Sequence, residues 1–278
     1  MLLGNYLSDW LILKQASLKP KTIESYRYVI RHINAHIGSL DVDQITAHDI
    51  THALALIAID HSRTAEMCYV LLRDALSDID PNPMQRVIRP RHVQTSPEAW
   101  TDEQIALYIS ALPAHRHQIP LLLAIALGLR RGEICGLRWT DIDFASETMH
   151  ICNQRQRFED GSIVDCPPKS FTSDRVIPVP YSVMRILRQH RQLSGYVTSL
   201  TPYGLDSAHR ALVRSLALPP IPLHGLRHSF ATACVRHGGS MKALQLILGH
   251  SSYAVTANRY THPDMQMLRN AVDVAQVI

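Results

Sequence analysis

Three short segments between residues 127 and 250 combine residue types that can bind a phosphate. They are Leu127–Glu133 (LGLRRGE), His224–His228 (HGLRH) and Leu248–His250 (LGH), and Tyr260 follows ten residues after the last of them. Arginine offers a rigid fork of donors to paired oxygens, and a tyrosine hydroxyl becomes a nucleophile once a base or positive field activates it. Each segment alone is weak evidence, because Gly-Leu-Arg is short enough to occur by chance. Their order and combination carry the interpretation.

The distribution of charge also suits a partner that contains phosphate. The 278 residues include 28 Lys and Arg against 24 Asp and Glu, which gives a formal net charge of +4. Residues 1–96 hold 10 basic and 10 acidic side chains, whereas residues 97–278 hold 18 basic and 14 acidic ones. In the second part 16 of the basic residues are arginines, and the lysines are Lys169 and Lys242. This bias suits phosphate recognition, and it is also compatible with a mildly basic surface.

Composition argues against several other classes of protein. A hydrophobic content of 46% is not that of a disordered chain. The five cysteines are scattered and without metal-ligand spacing, which argues against a disulfide framework or a zinc cluster. The N-terminus does not resemble a signal peptide, and no apolar run reaches about 18 residues. We therefore expect a soluble, cytoplasmic protein, associated with the bacterial nucleoid or, if phage-encoded, present in the host cytoplasm.

Residues 1–80 are expected to form a helical bundle of four helices. The clearest helix begins near Thr22, has isoleucines at three- and four-residue steps, and stops at Gly38. Thr46 and Asp49 form a capping-box pattern before the third helix. Residues 81–98 contain prolines and arginines without apolar periodicity, so we expect an extended basic linker that belongs to neither core.

Residues 99–278 are expected to form a second domain that is mostly helical. Thr101 and Gln104 form a capping box, and further helices are predicted over 119–127 and 133–137. Strand and turn signals predict a small antiparallel sheet, with strands at 148–151, 163–164 and 176–179 and a turn at 159–161. The predicted fold class is therefore mainly α (α+β), with an N-terminal helical bundle and a C-terminal domain that includes this sheet.

With these segments in this order, the chain resembles the tyrosine recombinases, the phage-integrase family of site-specific DNA recombinases, across nearly its whole length. The resemblance identifies the family's first arginine with Arg130, and Arg131 is the competing candidate. Glu133 and Trp139 fall where family members often have Glu and Trp. The other catalytic residues implied by the resemblance are Lys169, His224, Arg227, His250 and the nucleophile Tyr260.

The sequence departs from the family pattern at a few positions. Leu127 stands where many relatives have Thr, which should affect packing more than chemistry. Two prolines precede Lys169 where a Thr is common, although Ser173–Pro178 looks like the family's pattern downstream of the lysine. Nothing at the N-terminus resembles the arm-binding domain of some integrases, so we do not expect two-site bridging by that route.

The resemblance implies cleavage and rejoining of DNA through a 3′-phosphotyrosine, with no metal, no ATP and no other cofactor. Arg130, Arg227 and His250 would stabilise the extra negative charge on the non-bridging oxygens. Because a phenol with a pKa of about 10 is a poor nucleophile at neutral pH, a base is needed, and His224 is the natural candidate. Lys169 would protonate the departing 5′-oxygen.

Other residues of these segments have simpler interpretations. The rival nucleophiles are Tyr253, Tyr203 and Tyr196, but only Tyr260 has an Arg before it and Thr-His after it. His228 is expected to be a buried structural histidine, and His262 a structural or supporting one.

The resemblance also implies the partners. Double-stranded DNA is the expected substrate, bound by a homo-tetramer on two DNA sites, with accessory DNA-bending proteins as further partners and no membrane. The helical first domain resembles the family's core-binding domain. An apolar stripe after Tyr260 would dock onto a neighbouring subunit or onto its own domain; it comprises Met265, Leu268, Ala271, Val272 and Ala275.

Three alternatives remain beside the recombinase hypothesis. A type IB topoisomerase uses a related site, but the helical N-terminal domain and short linker favour a recombinase. A DNA-binding regulator that had lost activity should also have lost catalytic side chains, and none is missing. A metal hydrolase is disfavoured because His224 and His228 have no third ligand at a diagnostic spacing. Phage integration, plasmid resolution, dimer resolution and transposon movement all remain open as roles, with a slight preference for integration by a mobile element.

Overall fold

The computed structural model describes residues 1–92, 99–168 and 171–249 and divides the chain into two compact units, Met1–Thr95 and Ser96–Ile278. Each unit has its own hydrophobic core. The predicted fold class, mainly α with a small antiparallel β component, is confirmed. Within the described ranges, no helix is both long and apolar enough to cross a membrane.

The first unit is built from α1 (Leu3–Lys14), α2 (Pro20–Ile37) and α3 (Ala47–Ala75). α2 begins earlier than predicted, because Pro20 occupies a first-turn position where no backbone N–H is needed. It ends before Gly38, as predicted. The buried sides of the three helices form a core of aliphatic side chains.

α3 takes the place of the third and fourth predicted helices. It starts with the predicted capping box: the Asp49 N–H donates to Thr46 Oγ1 at 3.2 Å, and the Thr46 N–H donates to Asp49 Oδ2 at 3.0 Å. The helix is kinked at His61, where φ is −139° and ψ is 63°. No proline or glycine lies near His61, so the helix resumes after the kink and does not stop.

The expected linker over 81–98 is partly folded. Pro83–Arg86 form a 3₁₀ helix, and the Met84 N–H donates to Asn82 Oδ1 at 2.8 Å. Met84 and Val87 are 5% and 8% exposed and belong to the core of the first unit. The first unit therefore extends past residue 80, because these two apolar side chains anchor the proline-containing segment to the bundle.

The described part of the second unit contains helices α4 to α10 and strands β1 to β5. In chain order they are α4 (Asp102–Ala111), α5 (Gln118–Ala126), α6 (Arg131–Gly136), β1 (Ile142–Asp143), β2 (Thr148–Ile151), β3 (Gln154–Arg157), β4 (Ile163–Cys166), β5 (Arg175–Pro178), α7 (Tyr181–Gln189), α8 (Pro202–Ser215), α9 (Leu223–Arg236) and α10 (Met241–Leu248). The predicted capping box of Thr101 and Gln104 starts α4. α5 is buried along most of its length, which explains its continuous apolar run.

The strands form two sheets, where the sequence predicted one. β1, β2 and β5 make an antiparallel sheet in which Met149 lies opposite Ile177. β3 and β4 form a separate hairpin, with Gly161 at φ +82° in the predicted turn. β3 reads Gln-Arg-Gln-Arg and has no apolar alternation, so no sequence pattern predicted it. It packs against α6 so closely that a Cβ at Gly136 would lie 2.8 Å from the Cα of Gln154.

A buried polar network crosses the core of the second unit. His209 is fully buried; its Nε2 donates to the Ile221 carbonyl at 3.0 Å, and its Nδ1 lies 3.1 Å from the Tyr108 hydroxyl. A neutral ring satisfies both contacts if Nδ1 accepts from the hydroxyl. Burial lowers the pKa of His209, and this effect outweighs the opposing hydrogen bond to Ile221.

We predict that His209 makes the second unit less stable in mild acid. Below about pH 6.5, the unfolded chain binds a proton that the buried ring does not, so the free energy of unfolding falls as pH falls. The replacement His209→Asn should flatten this dependence by up to about 1.4 kcal/mol per pH unit. The free energy of unfolding is measured by urea denaturation at pH values from 5 to 7.5, with tryptophan fluorescence as the signal. The exposed His190→Asn is the control, and an equal flattening in both variants would contradict the prediction.

Candidate active site

Arg130 lies at a tight turn between α5 and α6. Gly128 in this turn has a φ of +61°, and a Cβ there would lie 2.6 Å from Cδ1 of Phe230, so only glycine fits. Arg130 directly precedes α6, and its N–H donates to Glu133 Oε2 at 2.9 Å. The Gly-Leu-Arg segment is therefore a helix start whose glycine lets the chain pass close to α9.

The guanidinium of Arg130 is held on two sides. Nη1 donates to Glu133 Oε1 at 2.7 Å, and Nη2 donates to the Gly249 carbonyl at 3.0 Å. The side chain still keeps 33% of its surface exposed. Arg130 is therefore fixed in direction while remaining accessible from solvent.

Glu133 is buried and receives hydrogen bonds from two arginines. Nη1 and Nη2 of Arg175 donate to Oε1 and Oε2 at 3.0 Å each, in addition to the two bonds from Arg130. Burial alone would raise the pKa of the Glu133 carboxyl, but the hydrogen bonds from Arg175 and the charges of Arg175 and Arg130 outweigh it and lower the pKa. The carboxylate is therefore ionised at neutral pH.

Arg227 lies on α9 and is 1% exposed. Nη1 donates to the Gly128 carbonyl at 2.8 Å, and Nη2 donates to the Leu248 carbonyl at 2.6 Å. These two bonds connect α9 to the turn before Arg130 and to the end of α10. Arg227 thus holds these elements together, and its buried charge lies on the same α10 turn as the exposed Arg130.

The last turn of α10 gathers three arginines. The carbonyls of residues 247, 248 and 249 are consecutive, and they accept hydrogen bonds from Arg175 Nε at 2.6 Å, from Arg227 Nη2 and from Arg130 Nη2. Such carbonyls have no partner within a helix and form the negative end of its dipole, which favours nearby cations. The turn therefore offsets the mutual repulsion of three arginines that lie close together.

Gly249 allows the end of α10 to adopt this shape. It is left-handed, with a φ of +62°, and a Cβ would lie 2.8 Å from the Thr172 carbonyl oxygen and 3.1 Å from Nη1 of Arg175. A larger residue would therefore displace the turn that precedes His250.

Arg131, the competing candidate, points elsewhere. Its side chain is 53% exposed and forms an ion pair with Asp206 of α8. Among the arginines at the start of α6, Arg130 is the one that shares the α10 turn with Arg227. The geometry therefore favours Arg130 for any joint role with Arg227.

The histidines of the HGLRH segment differ in exposure. His224 is exposed in the first turn of α9, whereas His228 is 5% exposed. Their rings meet edge to face, with centroids 4.7 Å apart. His224 is therefore accessible to a ligand, and His228 is a core residue beneath it. Trp139 is also buried, in the core of the second unit.

The strand that leads towards Lys169 is fixed at its end. In β4, Asp165 accepts hydrogen bonds from Arg138 Nη2 at 3.0 Å and from the Tyr196 hydroxyl. The guanidinium of Arg155 lies 4.4 Å from the centroid of the Tyr196 ring. Beyond β4, the Pro167 carbonyl accepts from Gln154 Nε2 at 2.9 Å. These contacts set the position of the chain up to Pro168.

Three of the predicted site residues, Lys169, His250 and Tyr260, lie outside the described residues, as do Tyr253, His262 and the C-terminal apolar stripe. Their predicted roles stay predictions. In the described ranges, no three His, Cys, Asp or Glu side chains are placed to hold a metal ion together.

No pattern in the sequence indicated a role for Arg175. The Ser173–Pro178 pattern supported only the assignment of Lys169, and an isolated arginine in a strand carries no signal of its own. The signal that could have identified it is Glu133, because a buried carboxylate beside Arg130 needs compensation. The described part of the site has one exposed guanidinium, that of Arg130, and the buried charge of Arg227 on the same α10 turn, and this arrangement suits an anion such as a phosphate.

Family models match both parts of the chain. Residues 101–267 match the model described as the phage integrase family, and residues 2–55 match the N-terminal SAM-like domain of phage integrases. The first match covers more than half of the chain. The chain therefore belongs to the phage integrase family, as the three segments predicted.

Curated relatives are tyrosine recombinases and integrases. A tyrosine recombinase XerC-like protein of Caldanaerobacter subterraneus is 29% identical in an alignment 212 residues long, which covers 65% of this chain and 54% of that protein. The matched region thus spans about half the length of that relative. A putative prophage phiRv2 integrase of Mycobacterium tuberculosis is 29% identical over 282 residues, covering 93% of this chain and 74% of that protein.

Solved structures share the fold. The Tn1549 transposon integrase in complex with transposon right-end DNA superposes with a TM-score of 0.81 at 21% identity, covering 98% of this chain and 99% of that one. A lambda integrase tetramer bound to a Holliday junction gives a TM-score of 0.70 at 18% identity, covering 95% and 80%. At these identities the likeness establishes the fold.

We predict that Glu133→Gln lowers the free energy of unfolding by about 3 kcal/mol, because two arginines lose a buried charge partner. Asp206→Asn is a matched control, since Asp206 also pairs with an arginine of this segment, but its side chain is 22% exposed and that of its partner Arg131 is 53% exposed. Its cost should stay below about 1 kcal/mol. Urea denaturation of both variants measures the difference, and equal costs would show that the Glu133 pairing is no stronger than a surface ion pair.

Proposed function

We propose that this protein is a site-specific DNA recombinase or integrase that cleaves and rejoins DNA strands through a 3′-phosphotyrosine at Tyr260. The observation that carries the proposal is the shared turn of α10: Arg130 and Arg227, from distant segments, donate to consecutive carbonyls directly before His250. Side chains that a phosphate site would need are thereby brought together by the fold. Family membership supports the same conclusion.

In the proposed reaction the Tyr260 oxygen attacks the scissile phosphorus. The new bond joins phosphorus to the tyrosine oxygen, and the bond from phosphorus to the 5′-oxygen breaks. His224 takes the phenolic proton, and Lys169 gives a proton to the departing 5′-oxygen. Attack by a 5′-hydroxyl on the phosphotyrosine reverses these steps, so the reaction conserves the bond and needs neither ATP nor a metal.

The proposed role of the arginines is electrostatic. The transition state carries more negative charge on the non-bridging oxygens than the DNA does, and donors fixed in advance stabilise this charge without reorganising. Arg130 has both the fixed direction and the exposure to contact such an oxygen. Arg227 would act from below it, and His250 would add a further donor.

We also propose that the protein acts on double-stranded DNA as a homo-tetramer in the cytoplasm, with residues 1–80 as its core-binding domain and 99–278 as its catalytic domain. The match of residues 2–55 to an integrase N-terminal domain supports the first assignment. The lambda integrase tetramer on a Holliday junction supports the assembly. The transposon and prophage integrases among its relatives support a role in a mobile element.

The nucleophile is tested with nicked suicide DNA from the flanks of the gene, incubated with EDTA and resolved on a denaturing gel. We expect the wild-type protein to form a denaturant-resistant adduct, and Tyr260→Phe to form none because it lacks the attacking oxygen. Tyr253→Phe is the matched control and should form the adduct. An adduct with Tyr260→Phe would place the nucleophile elsewhere, and binding without an adduct by wild type would favour an inactive regulator.

The proton donor is tested with DNA that has sulfur in place of the scissile 5′-oxygen. A thiolate leaves without protonation, so Lys169→Ala should cleave normal DNA slowly, by a factor of roughly 100 or more, and should cleave the sulfur substrate at nearly the wild-type rate. Single-turnover rates on both substrates measure this. Lys242→Ala is the control and should cleave both as wild type does. Equal deficits of Lys169→Ala on both substrates would exclude the lysine as the acid.

A further inference from the structure

Arg175, the first residue of β5, contacts more parts of the site than Arg130 does, and the proposed mechanism gives it no role. Nη1 and Nη2 hold the two oxygens of Glu133 at 3.0 Å each. Nη1 also donates to the Ser173 carbonyl at 2.9 Å, and Nε donates to the Ile247 carbonyl at 2.6 Å. One side chain therefore connects β5, α6 and the last turn of α10.

Arg175 is not placed to contact DNA itself. Its side chain is 7% exposed, and all three of its nitrogens donate to protein acceptors. Arg130, in contrast, is 33% exposed. Any effect of Arg175 on chemistry must therefore pass through the groups that it holds.

Both routes from Arg175 lead to Arg130. The first runs through Glu133, whose Oε1 accepts from Arg130 Nη1 at 2.7 Å. The second runs through the α10 turn, where Arg175 binds the carbonyl of Ile247 and Arg130 binds that of Gly249. The position of the Arg130 guanidinium thus depends on the two partners that Arg175 fixes.

The geometry also determines how many hydrogen bonds the Arg130 guanidinium makes to Glu133. A carboxylate and a guanidinium alone prefer a bidentate pair with two parallel hydrogen bonds. Oε2 of Glu133 accepts from Arg175 Nη2 and from the Arg130 backbone N–H, so the side chain of Arg130 makes one hydrogen bond to that carboxylate, from Nη1 to Oε1. Without Arg175, Glu133 could close the full pair with Arg130 and neutralise it.

We propose that Arg175 is a positioning residue: by holding both oxygens of Glu133 and the Ile247 carbonyl, it prevents a bidentate Glu133–Arg130 pair and keeps the Arg130 guanidinium available to the scissile phosphate. This inference rests on the proposed function of Arg130. It accounts for a buried arginine opposite a buried carboxylate at a site where Arg130 stays accessible.

The test compares Arg175→Lys with wild type in single-turnover cleavage of the suicide DNA. Lysine keeps the charge opposite Glu133 but loses the fork, so we expect the melting temperature to fall while the variant stays folded and binds DNA at the assay temperature, and we expect the cleavage rate to fall by about 100-fold. Arg188→Lys is the matched control, because Arg188 also bonds one glutamate and one carbonyl, Glu147 and Phe144, and it should cleave at the wild-type rate.

A second substrate separates positioning from general damage. A scissile methylphosphonate has a methyl group in place of one non-bridging oxygen, carries one negative charge less, and needs less help from a guanidinium. Arg130→Ala should therefore lose most of its deficit on this DNA. If Arg175 acts through Arg130, Arg175→Lys should lose its deficit in the same way. An equal deficit on both substrates would mean that Arg175 is merely structural and would overturn the inference.

A double variant tests the part played by Glu133. Arg175→Gln combined with Glu133→Gln removes both buried charges, so Arg130 keeps the Gly249 carbonyl as an acceptor but has no carboxylate to close on. We expect it to cleave faster than Arg175→Gln alone, in which Glu133 is left to pair with Arg130, and a slower or equal rate would overturn the inference. If Arg130→Ala cleaves normally, or wild type forms no adduct, the proposed function fails first, and the inference falls with it.

Discussion

The contact between Glu133 and its two arginines is the interaction on which the candidate site depends. A buried carboxylate is costly unless it is paired and hydrogen-bonded, and Glu133 satisfies this need with Arg130 from its own helix start and Arg175 from β5. Both arginines are therefore held beside the Glu133 carboxylate. The same bonds hold α6 against β5, although these two elements are far apart in the sequence.

The end of α10 is the second half of this arrangement. Three cations would repel one another in a partly buried place, but each of them has a carbonyl of the last turn as an acceptor. The left-handed Gly249 shapes the turn. The positive charge of the arginines is thus offset by the carbonyl dipoles at the end of α10 and by the Glu133 carboxylate. A site of this kind stays folded and still attracts a phosphate.

Local patterns predicted the parts of the fold that local physics decides. The capping boxes at Thr46 and Thr101, the apolar α5 and the turn at Gly161 each depend on neighbours in sequence, and the structure contains all of them. β3 could not be predicted, because its polar side chains form a strand only through pairing with β4 and packing on α6. The fold of the proline-containing segment after residue 80 likewise depends on burial of Met84 and Val87 in a distant core.

For the site, the family, the residue types and their order follow from the amino-acid sequence alone, since these are properties of the segments that carry Arg130, Arg227 and their neighbours. The resemblance already favoured Arg130 over Arg131; the folded structure added that Arg130 shares the α10 turn with Arg227, and it brought Arg175 into the site. The reason is physical: the acceptors that gather the arginines include backbone carbonyls at a helix end, and every residue has a carbonyl. The residue types therefore do not show which carbonyls will act as acceptors, and these carbonyls can be identified only in the folded structure.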